Sequence, residues 1–362
     1  EGFDTLVIET EAALVSAGEY NILKSGVTNI DNLVFANEVD VDAARLSTFS
    51  QLTFQDESIV KNASATQLLV AEDDLKVFAA GYKGAGTFGG AVTVEVGDDY
   101  VDLDVYASEL NLRVEDGGVD LTGDVQVANV ELVTTWPEEE VSLQAMYGAY
   151  FEVDSTDVAS LTTLTVTGSG YVDIYNGDWQ YGEDDEVVLV SSALVTIDLS
   201  GMDAKSTLYY SSVNELAESI SLGAGDSYIY LNNSTVDAAD TLTGLKLIDL
   251  SVDLDDGEER APYDDLQVGA VVGDDFVTFD SFVKTTVTET DSFDLALTEV
   301  AAKGVVVNGE GGQFVFTFGG DTYVYANIGE VTLDDTDVLV KIVGEVNLDH
   351  LVNTLNDSWF AD

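Results

Sequence analysis

Cysteine is absent from all 362 residues, which removes disulfides, thiolate catalysis and cysteine zinc sites together. Basic side chains are nearly as scarce: 12 Lys and Arg stand against 69 Asp and Glu, for a formal net charge of -57. Binding a polyanion needs clustered cations that release its counterions, so nucleic acid and anionic membrane are excluded as partners. The single histidine, His350, cannot build a multi-histidine metal site, and no Gly-x-Ser-x-Gly nucleophile motif accompanies it. No run of about 18 apolar residues occurs, so no membrane insertion is expected. The acidic stretch Glu1 to Thr10 does not read as an amino-terminal secretion signal, which leaves open both a processed or partial product and a carboxy-terminal export signal. Proline occurs only at Pro137 and Pro262, so little interrupts a sheet.

What is present is strand grammar. Hydrophobic residues make up 46% of the chain, ample for a packed core despite the charge. Val, Thr, Tyr and Phe alternate with polar residues nearly throughout, as in Val92/Val94/Val96, Val101/Leu103/Val105 and Leu110/Leu112/Val114. Period-two alternation puts one face of each strand in a core.

An apolar-x-x-apolar-x-apolar triplet recurs at Ile30/Leu33/Phe35, Phe49/Leu52/Phe54, Leu161/Leu164/Val166, Leu194/Ile197/Leu199 and Leu242/Leu245/Leu247. Its uneven spacing fits rungs separated by loops of different length. The expected fold is therefore all-β: an irregular parallel β-solenoid with an inserted antiparallel β region and a small C-terminal α+β module.

Composition places the boundaries. Solenoid rungs are expected over 1–83 and 143–254. An antiparallel insertion is expected over 84–142, with reversals at Gly97-Asp98, Asp116-Gly117-Gly118 and Gly123-Asp124. An acidic linker fills 255–266, and the α+β module occupies 267–362. Within that module Asp291 to Gly304 predicts a helix. Val305 to Asn308 predicts a strand, Gln313 to Phe318 and Thr322 to Ala326 a hairpin turning at Gly319-Gly320, and Asp349 to Leu355 a last helical turn.

Three stretches carry a resemblance. Asn29 to Phe78 reads as Thr/Val-rich rungs. Leu161 to Leu250 contains LTTLTVTGSGYVDI and SLGAGDSYIYL, and Ser292 to Leu348 contains a helix followed by GGDTYVYAN and DTDVLVKIVGEVNL. Together they resemble the calcium-dependent surface-layer and RTX-type proteins that Gram-negative bacteria export by type I secretion. The resemblance implies an extracellular, cell-surface location, self-assembly into lattices or a role in adhesion, and calcium used in folding or crosslinking. The RTX nonapeptide has one partial counterpart, Gly223-Ala-Gly225-Asp226, so a tandem calcium β-roll is not implied.

Calcium takes six to eight hard oxygens, which clustered Asp in Gly-containing turns can supply. The candidate metal ligands are Asp98, Asp99, Asp102 and Asp104; Asp226; Asp255 and Asp256; and Asp334, Asp335 and Asp337, with Glu183 to Glu186 as a further acidic run. The competing reading of each cluster is a solvated acidic surface suited to saline surroundings. Asp102 and Asp104 share a strand face as paired glycosidase carboxylates might. Scattered Trp136, Trp179 and Trp359 and the scarcity of bases speak against an enzyme. The expected function is a secreted structural protein that self-assembles into a surface layer, sheath, tube or filament with Ca2+ assistance. Its expected partners are copies of itself and a cell-surface glycan anchor. The alternatives are a calcium-binding adhesin segment and, third, an extracellular polysaccharide-degrading enzyme.

Overall fold

The computed structural model describes residues 3–9, 17–84, 86–135, 148–181, 187–247, 264–272, 275–288, 290–303, 312–328 and 332–356. These are mostly strand, with three short helices. Two compact units divide the chain, Glu1–Asp173 and Ile174–Asp362.

The first unit runs β1 (Thr5–Ile8), α1 (Ala17–Gly26), β2 (Asn32–Phe35), β3 (Val39–Asp42), β4 (Gln51–Phe54), β5 (Ser58–Ala63), β6 (Leu68–Ala71) and β7 (Leu75–Ala79). It continues with β8 (Ala91–Val96), β9 (Tyr100–Glu115), β10 (Gly118–Val133), β11 (Tyr150–Asp154), β12 (Thr163–Gly168) and the start of β13 (Tyr171–Asn176). From β2 onward, successive strands alternate between two parallel ladders. One ladder pairs β1, β2, β4, β6, β8, the second half of β9, the second half of β10, and β12. The other pairs β3, β5, β7, the first halves of β9 and β10, and β11.

The register explains the sequence pattern. Leu33, Leu52, Leu69, Val94, Leu112, Val130 and Val166 pair in one unbroken row, each on the buried side of its strand. Phe35 and Phe54, the ends of two triplets, pair beside that row and stack with ring centroids 5.4 Å apart. Each buried Leu or Val contributes about 1.5–3 kcal/mol, so a row like this rewards a single register.

The expected antiparallel insertion is corrected here. Residues 91–133 form β8, β9 and β10, which pair in parallel with each other and with β6, β7, β11 and β12. Alternation is the same in parallel and antiparallel half-buried strands, and the Gly-Asp signals were the only evidence of reversal. They mark corners at which the chain bends from one ladder to the other. A Cβ on Gly117 would lie 2.0 Å from the carbonyl oxygen of Gly97 and 2.3 Å from that of Asp99. The glycine is required by the neighbouring corner, not by a hairpin.

The second unit contains β14 (Asp178–Tyr181) and β15 (Val187–Val190), which pair antiparallel. It continues with β16 (Thr196–Met202), β17 (Thr207–Ser212), β18 (Ser219–Ser221), β19 (Asp226–Leu231), β20 (Asp240–Thr243) and β21 (Asp264–Val272). Parallel pairing again splits these into two rows, β16, β18, β20 and β17, β19, β21. Pairing then turns antiparallel: β22 (Asp275–Phe279) folds back on β21. After β23 (Val283–Lys284) and α2 (Phe293–Ala301) come β24 (Gln313–Phe318), β25 (Asp321–Ala326), β26 (Val338–Ile342) and α3 (Leu348–Asn356).

The β24–β25 hairpin turns at Gly319 and Gly320, whose φ values of 62° and 89° suit residues without a Cβ. Strand β26 joins this hairpin to the parallel row through β20. Helix α2 buries Leu297, Val300 and Ala301 against Phe314, Phe316, Tyr323 and Tyr325, so the alternating aromatics are core. The expected helix over 291–304 and the terminal helical turn match α2 and α3. The expected strand at 305–308 lies outside the described residues. Helix α1 has no counterpart in the sequence reading. Its one buried residue, Tyr20, accepts a 2.7 Å hydrogen bond from the backbone N–H of Asp42, at the end of edge strand β3.

Candidate functional site

Outward positions of β9, β10 and β11 carry carboxylates in register. Asp102 pairs with Asp120, and Asp120 with Glu152, so three acids on neighbouring strands form one row. Adjacent strands lie about 4.8 Å apart. Burial, followed by the charges of Glu152 and Asp102, pushes the Asp120 carboxyl up from its ordinary range. Asp173 is raised too, again by burial first, although the Tyr150 hydroxyl donates to it at 3.1 Å.

A parallel row of tyrosines flanks these acids. Tyr100 and Tyr150 stack at 6.2 Å and Tyr150 and Tyr171 at 5.5 Å. The gap at Gly118 lets this happen, because a Cβ there would lie 2.5 Å from the Tyr100 ring. Burial pushes the Tyr100 hydroxyl up to about 12, so it stays protonated beside the acids.

The structure separates the predicted ligands. Asp98 and Asp99 are exposed at the corner before β9, and Asp102 is exposed in the acidic row. Asp104, two residues on, is paired with Lys76, which also lies 5.0 Å above the Tyr106 ring. Asp226 opens β19, its backbone N–H bonded to the Ser206 carbonyl at 3.0 Å. Asp255, Asp256 and the Glu183 to Glu186 run lie outside the described residues.

Asp337 is fully buried and accepts from the Tyr325 hydroxyl at 2.5 Å, Ile328 N at 2.8 Å, Asp334 N at 3.0 Å and Asn327 Nδ2 at 3.3 Å. Asp334 itself receives the Thr336 N–H and hydroxyl, each at 3.0 Å, while Asp335 is exposed. This loop is tied by its own donors around one carboxylate. Among the described residues no three Asp, Glu or His side chains converge on a point that could hold a metal ion.

The most perturbed acids were not singled out in the sequence. Glu218 and Asp240 are buried in the second unit, 2% and 3% exposed. Glu218 accepts from Ser212 Oγ and Asn176 Nδ2, both at 2.6 Å, and from the Tyr210 hydroxyl. Its backbone N–H donates to Asp240 Oδ1 at 2.8 Å, and Asp240 N donates to Ser234 Oγ at 2.8 Å. Burial raises both carboxyls, Glu218 well above its usual range and Asp240 to about 7. No base is among the causes, so near neutral pH Glu218 is held protonated while Asp240 is only part ionised, and the pair does not carry two full charges. The sequence signal is parity: Glu218 sits two residues before inward Ile220 and four before Leu222, so alternation points it into the core.

Compared with protein-family models, curated proteins and solved structures, the chain matches none of them.

Proposed function

We propose that the chain is an extracellular β-solenoid that assembles with copies of itself into a surface layer, sheath, tube or filament when cations screen its surface. The observation that carries this reading is the in-register row Asp102, Asp120 and Glu152 in a chain of net charge -57. Two unit charges about 5 Å apart repel by roughly 1 kcal/mol even in water. Surfaces covered by such rows keep copies apart in dilute buffer, and salt near molar strength shortens the range of that repulsion to a few ångströms, while calcium acts by neutralising carboxylates directly. The parallel, in-register rows favour a solenoid, since each rung is too thin to bury a core without its neighbours. The resemblance of the rungs and of the GGDTYVYAN segment to surface-layer and RTX-type proteins supports the extracellular setting and calcium as the cation.

The test is electron microscopy with sedimentation of the purified chain, in millimolar calcium with marine salt and in excess chelator at low salt. Sheets or fibres in the first condition that dissolve in the second are the expected result. A chain that stays monomeric at high concentration in both sinks the proposal.

A further inference from the structure

The outer face of the other ladder in the first unit differs from the acidic row. It holds a groove of about 340 Å³ whose lining includes Glu95, Asn111, Arg113, Asn129, Glu131 and Thr165. Two rows cross its strands in register. Thr93, Asn111, Asn129 and Thr165 form one, and Glu95, Arg113, Glu131 and Thr167 the other. The volume lies at the lower end of the range of small-ligand sites.

Arg113 is one of only 12 basic residues in the chain, and it stands between carboxylates. It donates to Glu115 Oε2 at 2.5 Å, while Glu95 Oε2 and Glu131 Oε2 lie 3.7 and 3.8 Å away. Those two separations balance charge but exceed hydrogen-bond reach, so both carboxylates keep accepting lone pairs. Asn129 Nδ2 donates to Glu109 Oε1 and to Asn111 Oδ1, each at 3.1 Å. That contact fixes the Asn111 amide so that its Nδ2, which has no partner among the described residues, remains a donor.

We infer that this groove binds a neutral, hydroxyl-rich polysaccharide laid across the strands. Its hydroxyls donate to Glu95 and Glu131 and accept from Asn111 Nδ2 and the remaining guanidinium N–H groups. An anionic chain is rejected, because Arg113 is outnumbered by the carboxylates around it. Each row steps about 4.8 Å per strand, so its polar groups meet successive parts of one extended ligand. The inference stands apart from self-assembly, since it concerns a single copy.

The experiment is affinity electrophoresis of the full chain in gels containing dextran, mannan or xyloglucan, with alginate as the anionic control. Retardation in at least one neutral gel and none in alginate is expected. The double variant Asn111→Ala/Thr165→Val should bind at least tenfold more weakly at an unchanged melting temperature. Arg113→Lys, which keeps the charge and loses the planar fork, should weaken binding as well. Free migration in all three neutral gels overturns the inference, as does equal retardation in alginate or undiminished binding by the double variant.

Discussion

Asp240→Asn keeps the shape of a buried side chain and removes its proton equilibrium. Asp240 is 3% exposed and its carboxyl is raised from 3.8 to about 7, chiefly by burial. Below pH about 4 the carboxyl is protonated in both folded and unfolded chains, and it costs nothing. Between about 4 and 7 the unfolded chain releases a proton that the folded chain keeps, so stability falls as pH rises. Above 7 the full cost of holding the acid in the core is present. At about 1.4 kcal/mol for each pH unit, that cost approaches ~4 kcal/mol.

The asparagine carbonyl can still accept the Glu218 backbone N–H, which lies 2.8 Å from Asp240 Oδ1. The variant should match the wild type near pH 4 and exceed it by up to about 4 kcal/mol near pH 8. Glu218→Gln should act in the same direction, because burial and the Asp240 charge raise that carboxyl as well. Urea unfolding at constant ionic strength, followed by circular dichroism from pH 4 to 8.5, gives the two curves. The general self-repulsion of an acidic chain is almost the same in both and cancels in the difference. A difference that does not change with pH refutes the reasoning and means that the pair is ionised in the fold.

Two further predictions concern local geometry. Gly225→Ala would place a Cβ 2.0 Å from the Ser206 carbonyl oxygen, so the two strands must part; a loss of about 3 kcal/mol in urea unfolding is expected. Asp337→Ala leaves the buried Tyr325 hydroxyl and the N–H groups of Ile328 and Asp334 without their acceptor. At about 1–3 kcal/mol for each orphaned group, the melting temperature should drop by many degrees, in calcium and in chelator alike. A drop in calcium alone would instead identify the loop as a metal site.

The strands themselves were legible in the sequence. Val92, Val94 and Val96 alternate because their side chains meet one core, and every one of them is fully buried. The paired triplets Ile30/Leu33/Phe35 and Phe49/Leu52/Phe54 also foretold register, since Leu33 faces Leu52 and Phe35 faces Phe54. The Gly319-Gly320 hairpin followed from backbone chemistry, because two successive left-handed residues ask for glycine. Such features depend on neighbours close in the chain or on a period that any half-buried strand obeys.

Strand direction did not follow, and neither did the meaning of the glycines at 97 and 117. A Gly-Asp pair permits a reversal or a corner, and the backbone of the adjacent strands decides which. Glu218 and Asp240 show the same limit, since both look like surface acids in a chain that has 69. Only the packing of distant segments supplies the burial and the nearby Asp240 charge that push the Glu218 carboxyl up, against the opposing pull of the donors Tyr210, Ser212 and Asn176. Composition fixed the total charge of this protein, whereas the tertiary structure decided which acids line up on the surface and which are held uncharged. Charge is a sum over residues, but desolvation and register depend on what lies within a few ångströms, and those neighbours come from distant parts of the chain.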